Sequence, residues 1–334
     1  MPGSARSWKR FAAIGAVAAV ALTGVTTPAG AATSTTFGPV TITGVPPLGK
    51  KIHLVRELGR IEASMTAGQT AYVYSTLRAY DSGHVNLVDN EVRCAGAGGS
   101  NVVVGENIDP AGTANPGRGD ITLVNRFLVS ATTTGTLSCT LYLRTHSLAE
   151  ATSSFTVSGT LRFASLQVAE DVNGTAMQTS LPNGNIVVGS DDVYTPVLDR
   201  RIGTGHSQVA VIADVEYMSC LPAVCKYSYT TSSARFTLFA HQMNGDAFCS
   251  SAEIAQTSVT VNRQTHHKVV PLYTTIPLVP GCDRIYAYVR AEYQGGPTGA
   301  IQGQADNLTD ETGSAGPGVP QHNSAMTHLF AVPS

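Results

Sequence analysis

The 334-residue chain has 21 basic and 23 acidic residues, and only 13% of its residues are charged. This length suffices for two domains that each bury a core, and its 33 glycines follow no period, which excludes a collagen-like repeat. Nucleic acids and anionic membranes are bound through basic faces, so the slight acidic excess argues against both kinds of partner.

Residues 1–31 have the organisation of a secretion signal peptide. Arg6, Lys9 and Arg10 form a positive start, Phe11–Val25 an apolar stretch and residues 29–31 a small-residue cleavage site. The segment is similar in style to the secretion signals of high-GC Gram-positive bacteria. We therefore expect a secreted, extracellular protein without membrane insertion once the signal is cleaved.

Cleavage would change both the charge and the aromatic content. Loss of the three basic residues leaves 18 basic (21 − 3) against 23 acidic residues, a net charge of −5. Trp8, the only tryptophan, is also lost. This weakens the expectation of carbohydrate binding, because sugars commonly stack on tryptophan, although tyrosine could substitute.

In the first half, runs rich in Val, Thr, Tyr and Leu are separated by Gly, Asn, Asp and Pro, which predicts strands and turns. Leu137, Cys139, Leu141 and Leu143 share one face of a strand, so that face is expected in the core. The predicted strands are Val40–Val45, Thr70–Leu77, Val85–Val92, Asn101–Gly105, Ile121–Ser130, Leu137–Thr145 and Ser154–Ser165.

Residues 51–68 are ambiguous, since Leu54, Leu58 and Ile61 have helical spacing and could form one short helix. Residues 168–192 are polar, with room for two short strands. Further strands are predicted in the second half at Val193–Leu198, Gln208–Tyr217, Arg235–His241, Ser258–Asn262, Lys268–Pro277, Arg284–Glu292, Ala300–Ala305 and Met326–Val332.

These strands predict an all-β protein of two tandem antiparallel β-sandwich domains, Ig-like or jelly-roll-like, stapled by disulfides. The predicted boundaries are residues 32–166 and 167–334. The strand pattern indicates an internal duplication. When Cys94 is aligned with Cys249, Ile121–Val129 corresponds to Val269–Ile276, and the strand after each also corresponds.

The six cysteines all follow the signal, and export makes disulfides the expected state. Cys94 and Cys139 are expected to pair and to staple the two sheets of the first domain. The four cysteines of the second domain leave three pairings open. We favour Cys220–Cys225 and Cys249–Cys282 over a zinc site, because a Cys-x4-Cys spacing is loose and no second tight pair follows.

No motif indicates catalysis. The chain contains no Gly-x-Ser-x-Gly elbow and no His-Glu-x-x-His pair. The Asp-Ser-Gly within Tyr80–His84 is typical of a hairpin turn. The adjacent His266 and His267 would face opposite sides of a strand and could not chelate one ion together. We therefore predict no catalytic residue, no metal site and no cofactor, and the balance is against an enzyme.

Polar loops offer weaker candidates. Asp171–Gly174 and Ser190–Asp192 could supply oxygen ligands to calcium, although the EF-hand spacing is absent. Arg118–Asp120 is an Arg-Gly-Asp tripeptide, which we interpret as a polar loop. Ala95–Ser100 matches no phosphate-binding pattern and is interpreted as a flexible loop.

The prediction for function is a secreted binding or structural protein that acts through loops of its two sandwiches, with an extracellular protein or a surface polymer as partner. The alternative is a secreted hydrolase or carbohydrate-active protein with a site in the second domain. Its candidate residues are Asp214, His241, Asp246 and His267.

Overall fold

A computed structural model describes residues 33–46, 53–82, 85–107, 120–147, 153–166, 177–180, 184–202, 205–219, 231–262, 265, 267–309 and 321–334. Within these ranges the chain forms twenty strands and no helix, which confirms the predicted all-β fold class. Accordingly, none of the described segments is a helix long and apolar enough to cross a membrane.

The first half contains eight strands: β1 (Thr33–Val45), β2 (Leu54–Met65), β3 (Thr70–Tyr80), β4 (Val85–Gly96), β5 (Ser100–Asn107), β6 (Ile121–Ser130), β7 (Gly135–Ser147) and β8 (Ser153–Leu166). The remaining strands are β9 (Met177–Ser180), β10 (Asn185–Val188), β11 (Val193–Arg201), β12 (Gln208–Met218), β13 (Ser232–Asn244), β14 (Ala247–Val261), β15 (His267–Pro277), β16 (Arg284–Gly295), β17 (Gly299–Gln302), β18 (Gln304–Thr309), β19 (Gln321–Ala325) and β20 (His328–Pro333).

Each half is a jelly roll. In the first half, a sheet of order β1-β8-β3-β6 faces one of order β2-β7-β4-β5. In the second half, β9-β20-β12-β15 faces β11-β16-β13-β14. If β9, β11–β16 and β20 are counted as strands one to eight, both halves have the same orders, which are those of an eight-stranded double-sheet jelly roll.

The duplicated pattern is thus correct for the strands but wrong for the cysteines. β15, β16 and β20 occupy the places of β6, β7 and β8. Cys94 lies on β4, whose counterpart is β13, whereas Cys249 lies on β14. The boundaries at residues 166 and 167 stay a prediction, and residues 167–176 lie outside the described ranges.

The ambiguous segment is a strand and not a helix. β2 pairs antiparallel with β7, and its register shifts between Glu57 and Gly59. A bulge inserts one residue and reverses which face the following side chains occupy. Leu58 is the inserted residue, so the apolar side chains are Leu54 before the bulge, Leu58 within it and Ile61 after it, and this irregular spacing resembles that of a helix.

Both described disulfides have the favoured pairings, but the first does not have the expected placement. Cys94 and Cys139 are bonded at directly opposed positions of β4 and β7, so they join neighbouring strands of one sheet and do not staple two sheets. Cys249 of β14 is bonded to Cys282 in the turn before β16. The favoured bond of Cys220 and Cys225 lies outside the described residues.

The two halves are packed against each other. β12 is buried on both faces. Val211 and its alternate neighbours face the core of the second half, while Ile212 packs with Phe330 against Leu128 of the first half. The β18–β19 hairpin also reaches the first half, where Ala325 pairs in parallel with Val102 of β5. We call this boundary between the halves the seam.

Candidate functional site

An aromatic surface covers the outer face of the sheet β11-β16-β13-β14. Along β16, the small apolar residues Ala287 and Val289 are buried, whereas Tyr286 and Tyr288 lie on the opposite face. This inverts the usual preference for large apolar side chains inside. The same alternation on β13 buries Leu238 and its alternate neighbours and places two rings outside. The six rings of the aromatic face are Tyr194, Phe239, His241, Phe248, Tyr286 and Tyr288.

Strand register brings these rings together. Phe239 lies directly opposite Tyr288, and His241 lies directly opposite Tyr286. The Phe239 and Tyr288 rings are stacked with centroids 5.1 Å apart, and those of His241 and Tyr286 are 5.9 Å apart. Tyr194 contributes from β11, with its ring edge-on to Tyr288 at 5.7 Å. Directly opposed side chains on a sheet are close enough to pack as one surface.

Two rings at opposite ends of the face are the most open to solvent. Phe248 is 61% exposed and Tyr194 is 53% exposed, while the rings between them are half-buried against one another. Contiguous exposed aromatic surface of this kind marks interaction sites on soluble proteins. Tyr288 lies at the centre of the face together with His241, and its ring contacts those of Tyr194, Phe239, His241 and Tyr286.

Arginine–carboxylate pairs border the rings. Arg235 donates two hydrogen bonds to Glu292, at 2.9 and 2.7 Å, and Arg290 donates a third at 2.9 Å while its guanidinium lies over the Phe239 ring. At the other end, Arg284 donates to both oxygens of Asp199, at 2.6 and 2.5 Å.

Arg284 also donates to Asp246, at 2.8 Å. The three carboxylates that border the rings are therefore neutralised by three arginines. Paired guanidinium and carboxylate groups of this kind fix polar atoms in place beside the rings.

The rings carry no charge near neutral pH. Burial lowers the pKa of His241, which keeps its imidazole neutral. Burial, followed by the nearby tyrosines Tyr194 and Tyr286, raises the pKa of Tyr288, so its hydroxyl stays protonated. The His241 Nε2 atom lies 3.5 Å from the Tyr288 hydroxyl oxygen. The centre of the face thus offers apolar ring surface with neutral polar edges.

The four candidate residues of the second half do not form one site. His241 belongs to the aromatic face and Asp246 to its border. Asp214 and His267 lie instead on β12 and β15 at the seam. A single hydrolytic centre made of these four residues is therefore wrong, because they occupy opposite sheets of the sandwich.

One polar cluster at the seam is built around Glu91, which is fully buried on β4. Arg144 of the same half donates to it at 3.2 Å, while His322 and Ser324 of β19 lie 2.8 and 2.6 Å from its carboxylate. Although burial opposes ionisation, hydrogen bonds from His322 and Arg93 lower the pKa of Glu91. The cluster is a buried network of charged hydrogen bonds that connects the two halves.

A second pair at the seam joins Arg126 of β6 to Asp214 of β12, with His328 beside them. Asp214 and His328 are fully buried. Burial raises the pKa of Asp214, but Arg126 and His328 outweigh it and hold the pKa below its ordinary value. Asp214 is accordingly a structural anion and not a proton donor.

Glu216 differs from the other buried acids. Among the described residues its carboxylate has no side-chain hydrogen-bond partner, and the Nδ1 atom of His267 lies 3.4 Å away. Burial raises the pKa of Glu216 well above its ordinary value; a backbone hydrogen bond from Gly105 opposes this shift, and Glu106 adds to it. Burial likewise lowers the pKa of His267 to about 4. Both shifts favour the neutral form of the group.

Asp89 faces the same region from β4. Burial raises its pKa well above the ordinary value; Arg144 opposes the shift, and Glu216 and Glu91 add to it. These acids are closed off from solvent, so the described residues give a substrate no route to them. We interpret Asp89 and Glu216 as protonated interface residues and not as an acid–base pair in catalysis.

The remaining sequence candidates are structural or lie outside the described ranges. Asp120 of the Arg-Gly-Asp tripeptide is paired with Arg78 at 2.7 Å. Ala95–Ser100 is a packed connection and not a flexible loop, since the buried Ala97 carbonyl accepts a backbone hydrogen bond from Thr132 at 2.8 Å. Asp171–Gly174 and His266 lie outside the described residues. Among the residues described, no group of three or more His, Cys, Asp or Glu could hold a metal ion.

Comparisons with known proteins find only distant similarity. No protein-family model and no curated protein matches the chain. A peptide-N(4)-(N-acetyl-β-D-glucosaminyl) asparagine amidase matches with 7% identity over 90% of this chain and 96% of its own, at a TM-score of 0.34.

Two other solved structures are more distant still by TM-score. The N-terminal CBM22-1–CBM22-2 tandem domain of Paenibacillus barcinonensis Xyn10C matches with 11% identity over 83% and 91% of the two chains, at 0.22. A protein of the T13 IBDV viral particle matches with 8% identity over 91% and 73%, at 0.24. Similarities this low carry no argument about function.

Proposed function

We propose that this is an extracellular glycan-binding protein that holds its ligand on the aromatic face of the second half. The observation that carries the proposal is Tyr288, whose ring joins four others into one solvent-facing surface bordered by fixed polar groups. Sugars present apolar C–H faces and a rim of hydroxyl groups. Ring surface flanked by Arg290 and Glu292 complements both features.

A binding role fits the chemistry of the face better than a hydrolytic one. Most enzymes that hydrolyse glycosidic bonds use two carboxyl groups, one of which must be able to donate a proton to the leaving group. The three carboxylates bordering the rings are ion-paired instead, and the pairing with Arg235 and Arg290 lowers the pKa of Glu292. The proposed role agrees with the predicted binding function, but the surface is a sheet face and not a set of loops. The two described disulfides are compatible with an extracellular location.

Tyrosine fluorescence offers a direct test. Protein lacking residues 1–31 has no tryptophan, so its emission comes from its tyrosines. We expect soluble glycans to change this emission and insoluble polysaccharides to retain the protein. Tyr288→Ala should abolish both effects. The matched control is Tyr80→Ala, which removes a half-buried tyrosine of the first half that lies under Arg78.

Two results would overturn the proposal. One is the absence of binding across a broad panel of neutral, amino and acidic glycans by the intact protein. The other is a dimer of the intact protein, measured by sedimentation, that Tyr288→Ala converts to a monomer without any glycan being bound. The second result would assign the face to contact with another copy of the chain.

A further inference from the structure

We infer that the ligand is an extended, unbranched chain of uncharged sugars lying diagonally across the aromatic face. This inference rests on the proposed function and adds the shape and charge class of the ligand. It is carried by four rings that form a continuous line from one corner of the face to the other, which we call the ring track. Its members are Phe248, His241, Tyr288 and Tyr194.

The spacing of the ring track is nearly constant. The centroid distances are 5.4 Å from Phe248 to His241, 5.5 Å from His241 to Tyr288 and 5.7 Å from Tyr288 to Tyr194. Each step is about the width of one pyranose ring. A pocket for a single sugar would gather its rings around one point, whereas this line crosses four strands from β14 to β11.

The ends of the ring track are its most exposed members. Phe248 is 61% and Tyr194 is 53% exposed, so a chain can enter and leave the face without a wall at either end. An open track suits an internal stretch of a polymer better than a terminal sugar. Phe239 and Tyr286 flank the central step and broaden the surface there.

The charges favour an uncharged chain. The three carboxylates beside the rings are each paired with arginine, and the bonds from Arg235, Arg290 and Arg284 leave the border close to neutral. An acidic polysaccharide would need an unpaired cation near the rings. Arg201 is an exposed cation at one corner of the sheet, on β11 opposite Arg284 and to one side of the ring track.

A length series of oligosaccharides tests the inference. Neutral β-linked glucose and N-acetylglucosamine oligomers would be titrated into the protein by calorimetry, from one sugar upward. Affinity should rise with each unit up to four, one for each ring of the track, and then level off. Phe248→Ala and Tyr194→Ala should each lower the affinity for the longest oligomers by about tenfold and leave that for a disaccharide unchanged.

The outcomes separate this inference from the function on which it rests. Binding that needs Tyr288 but does not depend on the number of sugars would overturn the inference of an extended ligand and leave the proposal of glycan binding intact. If polygalacturonate fragments bound more tightly than neutral oligomers, and Arg201→Gln abolished the difference, the inference of an uncharged ligand would be wrong. Absence of all glycan binding would remove both proposals together.

Discussion

At the scale of single residues, the aromatic face shows what sequence could and could not predict. The alternation of β16 predicted a strand, but both of its faces contain apolar residues, so the pattern could not show whether Tyr288 or Val289 faces the core. The partner ring of Phe239 lies on a strand far along the chain, and only strand register brings the two together. Register is a tertiary property that one strand does not encode.

Glu216 gives a prediction at this scale. Its pKa is raised in the native protein from an ordinary value of 4.5, so protonation stabilises the fold. That contribution is complete below about pH 4.5 and is lost as pH rises through the native pKa, by at most about 1.4 kcal/mol per pH unit. Glu216→Gln removes the ionisation, so the variant should gain stability relative to the wild type as pH rises.

Urea unfolding between about pH 4 and pH 9 measures this difference. Glu62→Gln is the control, because Glu62 is exposed and paired with the exposed Arg60. Equal pH dependence in the wild type and in Glu216→Gln would show that the Glu216 carboxyl titrates in the native protein as it does in the unfolded chain.

At the scale of strands, the sequence predicted most elements, and its errors have physical causes. The sequence pattern identified β6 to the residue and β7 to within two residues at each end. The bulge at Leu58 obscured the strand pattern of β2. The start of β14 was missed because Ser250, Ser251 and Ala252 carry little apolar signal. The disulfide of Cys94 was correctly paired but misplaced, since sequence spacing cannot distinguish neighbouring strands of one sheet from facing strands of two.

The two described disulfides should differ in their resistance to reduction. Cys94 and Cys139 are buried between β4 and β7, whereas Cys249 is exposed on the edge strand β14. Thiolate attack requires access to a sulfur atom, so an exposed disulfide is reduced first. With increasing dithiothreitol under native conditions, we expect alkylation at Cys249 and Cys282 well before Cys94 and Cys139.

Mass spectrometry of alkylated peptides reads out each cysteine separately. The same experiment in urea is the control, since unfolding should remove the difference in access. Reduction of the Cys94–Cys139 bond first in the native protein would contradict the prediction. Ligand retention after selective reduction would also show whether the end of the ring track at Phe248 depends on its neighbour Cys249.

At the scale of the whole molecule, repeated strand patterns predicted two sandwiches, but nothing in them predicted the seam. Arg126 and Asp214 are 88 residues apart in sequence and lie on strands of different halves. The sequence signal for a strand covered on both faces is a continuous apolar run, which β12 has in Val209–Ala213. The run was visible, but the side chains that cover its second face could be identified only from the packed halves.

The seam gives the last prediction, which concerns the pair of Arg126 and Asp214. Arg126→Met would leave the fully buried carboxylate of Asp214 without its main partner, and loss of one member of a buried ion pair costs about 3–5 kcal/mol. Asp214→Leu should be similarly destabilising. The double variant should recover much of this loss, because its two apolar side chains join the cluster of Leu128, Ile212 and Phe330.

Urea unfolding of the wild type, both single variants and the double variant gives the coupling energy between the two residues. The exposed pair of Arg60 and Glu62 serves as the matched control, and its coupling should stay below about 1 kcal/mol. If Arg126→Met destabilised the protein no more than Arg60→Met, the pair would contribute little to holding the halves together. Apolar packing around Ile212 would then account for the seam.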